Sequence, residues 1–246
     1  YRVDTKLNVV LPGVPKHDDD WARDSHDFAN LIVLIPVVAL NVMNWNWDIL
    51  LDRSQSIEDA WTGEWFEEFF MVSILYFLAD LLWVALVPRC VKSPGTIIQH
   101  HVATLIYFVV PLTRPEARWC MGACMSVEIN TWFLIARRVF NKQGFPPWII
   151  DLPPFLSLRI RLISIFFYCT WIPIRCILYP SLFGTFFQMW KHYSVVEGTR
   201  LNIYLLVLPM HLIFCVLNYK WTYDLVMSKI RYWRKTGNKK RVESGL

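Results

Sequence analysis

The feature that most limits what this chain can fold into is a series of long apolar runs beginning near Phe28. A hydrocarbon core about 30 Å thick takes about 20 mostly apolar residues per helix, and that ruler divides the sequence into six spans. They run from Phe28 to Leu51, Trp65 to Val87, Thr96 to Leu112, Ala117 to Phe140, Leu158 to Pro180, and Leu201 to Met227. Pro111 and Pro115 are expected to end the third span. Pro36, Pro173 and Pro209 are expected to kink the spans that contain them. The short apolar stretch 181–190 either continues the fifth helix or folds back into the interface. The predicted fold is an all-α integral membrane bundle of about six transmembrane helices. Residues 1–27 form a polar N-terminal segment, 28–227 the transmembrane domain and 228–246 a basic C-terminal tail.

Composition removes the alternatives. With 55% hydrophobic and only 18% charged residues among 246, the chain is too apolar for disorder, and it lacks the charged heptads of a rod. A membrane β-barrel would alternate polar and apolar residues, whereas these runs are continuous. Thirteen Trp and ten Tyr suit many helix ends at the headgroup level. The net charge of +5 does not point to nucleic acid, because the basic residues flank apolar runs and are not gathered on a polar domain. The densest group, from Lys229 to Arg241, follows the last run and is read as facing anionic headgroups. Six cysteines without a CxxC indicate neither a zinc site nor a redox compartment. The polar, acidic first 27 residues do not read as a signal or transit peptide.

The basic residues also predict orientation. In a six-span arrangement nineteen fall on the side of the two termini and five on the other, with Arg175 inside the bilayer. Both termini are therefore expected on the cytoplasmic side, or the equivalent matrix or stromal side, of an endomembrane or organellar inner membrane.

Polar residues inside the spans carry the functional information, because each is costly in lipid. They recur at helical spacing: Ser73, Tyr76 and Asp80; His100, Thr104 and Tyr107; Cys120, Cys124, Glu128 and Thr131; Ser164, Tyr168, Trp171 and Arg175; Tyr204, His211, Cys215, Asn218 and Thr222. Such faces turn toward one another or toward a wet cavity, and most of their hydroxyls and amides serve as interhelical contacts. Asp80, Glu128 and Arg175 stand apart, since an ionised group at mid-bilayer costs about 2.5–3.5 kcal/mol without a partner or water. One acid can pair with Arg175; the other is protonated, paired with a histidine, or functional. His100 and His101 point about 100° apart on a helix, which argues against their chelating one metal, and no metal or cofactor is expected. If the site does chemistry, a histidine oriented by Asp80 or Glu128 acts as general base in acyl transfer. The chain has no GxSxG, phosphate-binding glycine loop or HExxH.

Several of these stretches resemble, in order, the motifs of the TLC-domain family, which includes ceramide synthases and translocon-associated membrane proteins. They are YFLADLL from Tyr76, IIQHHVATLIYF with His100 and His101, EINTWFLIARR from Glu128, FFYCTWIPIR ending at Arg175, and LNYKW with Asn218 and Trp221. The synthases carry a further His-Asp and a second Asp ahead of that glutamate. MGACMSVEINTWF has none of these, so the likeness is to the non-synthase members. The resemblance implies six helices around a central polar-lined cavity that admits lipid chains. Tyr76, Asp80, Thr104, Glu128, Thr131, Arg175, His211, Asn218 and Trp221 would line it, and His100 and His101 would be the catalytic residues of any enzyme. The expected function is binding of a phospholipid or sphingolipid, in lipid sensing, composition or trafficking. The second expectation is a non-catalytic accessory subunit of a larger membrane complex, partnered by its other subunits, and the third is a histidine-dependent acyltransferase.

Overall fold

The computed structural model describes residues 18–52, 54–140 and 158–243. The Pro- and Gly-rich loop of 144–154 and the basic residues Arg2, Lys6, Lys16, Arg53 and Lys142 lie outside them. Among the described residues every long element is helical, the one extended feature being an isolated bridge between Trp45 and Trp61. Five stretches are long and apolar enough to cross a membrane: Trp21–Met43, Phe66–Leu86, Pro94–Thr113, Arg161–Val196 and Tyr204–Tyr232. The protein is thus an all-α multi-pass membrane protein. Its chain divides into two compact units, Tyr1–Ile174 and Arg175–Leu246.

The first unit opens on α1, Asp18–Met43. This helix starts ten residues before the expected span and ends eight before it. The reason lies in which residues it buries. Ala22, His26, Asn30, Leu34, Val37 and Asn41 form its inner stripe, while Phe28, Ile32, Val33 and Ile35 face outward. A ruler based on apolarity finds the lipid-facing residues and misses a helical turn whose inner face is polar. Beyond Met43 the chain turns at Asn44, whose side-chain oxygen accepts from the Trp65 backbone N–H at 2.8 Å. A separate short helix, α2 (Trp47–Leu51), is capped by the Asn46 side chain.

Helix α3, Phe66–Leu86, matches its expected span to within a residue at each end. The third span is two helices, α4 (Pro94–Tyr107) and α5 (Val109–Thr113). Pro111 does not end it, contrary to expectation. The restart at Val109 places Pro111 in a first turn, where its missing N–H costs nothing, and the helix stops before Pro115. The fourth span is likewise divided, into α6 (Arg118–Met125) and α7 (Val127–Phe140). Every residue from Trp119 to Met125 is buried. Within the unit α1 packs on α3 and α7, α3 on α4, and α7 on α8, Leu158–Trp171.

Helical residues then continue through a π-helical stretch, Ile172–Leu178, into α9, Tyr179–Val196. The stretch 181–190 therefore continues the helix. Pro173 lies in the widened turn, which accommodates a residue that cannot donate to the regular ladder. In the second unit α9 packs on α10, Tyr204–Glu243, which runs through Pro209 and past the expected end at Met227. Tyr193 and Tyr204 stack at 4.2 Å near the connection, where Gly198 takes a positive φ of 67°.

Candidate functional site

Three polar side chains of the first unit converge on Asp80. This carboxylate is buried on α3, one turn beyond Tyr76 and two beyond Ser73, both also buried. A carboxylate only accepts, so the groups around it donate. His101 Nε2–H reaches Oδ2 at 2.6 Å from α4. His26 Nε2–H reaches Oδ1 at 2.7 Å from α1, and the Asn30 amide donates to that same oxygen at 2.7 Å. Donation through Nε2 leaves each ring's Nδ1 as the remaining polar atom. Both Nδ1 atoms are buried without a hydrogen-bond partner among the described residues.

The rings are held by aromatic contacts. Phe77 meets the His101 ring edge-on at 5.0 Å, and Trp83 meets His26 in the same way at 5.7 Å. His100, half-buried, sits T-shaped against His101 at 5.5 Å. His101 is thus joined to an acid, Asp80. Tyr76 lies 6.4 Å from the His101 ring, within electrostatic reach of both Asp80 and Glu128. Glu128 is buried on α7. Thr104 and Thr131 spend their hydroxyls on their own helices, bonding the His100 and Val127 carbonyls at 2.9 and 3.2 Å.

In the second unit Arg175 is 4% exposed. Its Nη1 donates to Asn218 Oδ1 at 2.6 Å, and its guanidinium lies 5.5 Å from the Trp221 ring. Three expected residues from two distant motifs therefore meet. His211 Nε2–H donates to the Tyr179 carbonyl at 2.7 Å, and its ring stacks on Tyr179. Of the expected stripe Ser164, Tyr168, Trp171 and Arg175, the last two are buried, and Phe167, also buried, takes the inner place expected of Tyr168. Tyr168 is 37% exposed and accepts from Arg137 at 3.1 Å.

The sequence reading missed His26, Asn30, Asp27 and Arg138. Asp27 is buried and paired with Arg138 of α7. Nearby, Trp132 Nε1 donates to the Leu31 carbonyl at 3.0 Å. The available signal was the four-residue spacing of His26 and Asn30, in register with the Asn41 further along.

A model of the TLC domain matches residues 20–227. The chain belongs to the TLC domain family. The match begins at Asp20, so it takes in the turns of α1 that hold His26 and Asn30. Comparison with curated proteins and with solved structures gives no match. Membership identifies a multi-pass membrane protein with a lipid-related function, in contact with membrane lipids.

Proposed function

We propose that this TLC protein binds a phospholipid or sphingolipid within its helical domain, as a non-synthase member acting in lipid sensing, composition or trafficking. The observation that carries the reading is the Asp80–His101 pair. An imidazole clamped at Nε2 leaves its buried Nδ1 as a fixed acceptor beside aromatic rings, which suits recognition of a headgroup hydroxyl or amine. Tyr76 and Phe77 supply ring surface beside it. His101→Gln tests this, because the glutamine amide keeps a donor for Asp80 while removing Nδ1. Native mass spectrometry of protein extracted in mild detergent is expected to show a retained lipid that His101→Gln loses and His100→Ala keeps. Equal retention in all three proteins rejects the site.

The same pair favours acyl transfer as a second reading. An acid-oriented imidazole is the arrangement a general base needs. Nδ1 would take the proton of an amine or hydroxyl, whose lone pair forms the bond to the acyl carbon. The bond from that carbon to its leaving group breaks, and the imidazolium returns its proton to the leaving group. Assay of the purified protein with an acyl-CoA and a lipid acceptor separates the readings: an acylated product that His101→Gln abolishes supports transfer, and none leaves binding alone.

A further inference from the structure

We propose that His26, on the N-terminal helix, is a positioning residue that fixes the state of His101 through Asp80. The inference rests on reading Asp80 and His101 as the working pair. Asp80 has two oxygens, and α1 occupies one of them completely. His26 and Asn30, four residues apart on a single helix face, both bond Oδ1, each at 2.7 Å. Held there from two donors, the carboxylate cannot rotate out of line, so Oδ2 stays aimed at His101 Nε2. The His101 proton is thereby kept on Nε2, and Nδ1 is kept as the acceptor.

His26 is itself placed by packing. Trp83 lies edge-on to its ring, and Trp83 in turn packs on the buried group Ala22, Val84 and Cys90. A line of support therefore runs from that apolar group through Trp83, His26 and Asp80 to His101. A donor needed only to tie α1 to α3 is already present in Asn30. The second donor is an imidazole that leaves its own buried Nδ1 without a partner among the described residues, which is poor economy for a purely structural link.

The test is nitrogen-15 NMR of the histidine-labelled full chain in lipid nanodiscs, at mildly alkaline pH where a free imidazole is neutral. The His101 signals are assigned by their loss in His101→Gln. In the unaltered protein His101 is expected to show one tautomer, with the proton on Nε2. His26→Ala is expected to convert it to a mixture of both tautomers, and His26→Gln, whose amide reaches the same oxygen, to restore the single form. If His26→Ala does not fold, His26→Phe keeps the ring contact with Trp83 while removing the donor, and the same mixture is expected. A single unchanged tautomer in the folded donor-less variant overturns the proposal. A tautomer that responds in a protein retaining no lipid supports this inference while rejecting the lipid-binding one.

Discussion

Asp80 shows why a buried charge has to be understood through its donors. Removing the carboxylate leaves three buried donors, from His26, Asn30 and His101, without their acceptor. Breaking one side of such a buried polar arrangement costs about 3–5 kcal/mol. Asp80→Ala is therefore expected to lower the thermal unfolding midpoint in detergent sharply, with His100→Ala, a half-buried ring beside the pair, as the milder comparison. Cys90 gives a second prediction at this scale. It lies outside the spans and is 1% exposed. Burial, reinforced by the charges of Asp80 and Asp27, pushes its thiol up to about 11. The thiolate is the reactive form, so alkylation of Cys90 in the folded protein is expected to stay slow at neutral pH and to rise only as pH approaches 11. Rapid labelling at neutral pH, before unfolding, contradicts this environment. Asp80 and His101 were legible in the sequence as costly polar groups at helical spacing. An orienting acid was expected to be Asp80 or Glu128; which acid meets which histidine was not legible, because a spacing gives the face of a helix and not the helix it meets.

At the scale of elements, the connection from α1 to α3 is fastened to α6 by a close backbone approach. Asn41 donates to the Gly122 carbonyl at 3.1 Å and accepts from Trp45 Nε1 at 3.1 Å. Trp45 meets the Trp61 ring at 5.0 Å, and Trp61 lies over Gly122 so closely that an added Cβ would collide with its six-membered ring. Gly122→Ala is expected to destabilise the protein by about 1–3 kcal/mol, as overpacking does. Trp61→Leu is expected to relieve much of that loss in the double variant, so that the two changes are not additive in a thermal unfolding cycle. Strict additivity refutes the contact. The centre of each long span was readable from apolarity, and α3 matched almost residue for residue. The ends of the fifth and sixth spans ran on past expectation, and both ends of α1 were misplaced, where polar residues face inward and apolar ones face lipid. Apolarity reports contact with lipid, and it fails wherever a helix turns polar groups to its neighbours.

For the whole molecule, the arrangement of basic residues still predicts that both termini lie on one side of the membrane. Glycosylation or protease mapping of tagged termini in sealed membranes is expected to place them together on the cytoplasmic, matrix or stromal side; opposite placement rejects six spans. The expected fourth span is the informative one. Divided into α6 and α7 and buried throughout its first half, it falls outside the five stretches that qualify by length and apolarity. The sequence by itself determined that the chain is an all-α membrane protein, where most crossings lie and which polar residues stand at helical spacing. These are local properties, set by the thickness of the bilayer and the 3.6-residue period. Only the tertiary structure decided which polar groups meet: His26 and Asn30 with Asp80, Asp27 with Arg138, Arg175 with Asn218. Those pairs join residues tens of positions apart, and their partners are chosen by which buried donor and acceptor can satisfy one another where no water can do so.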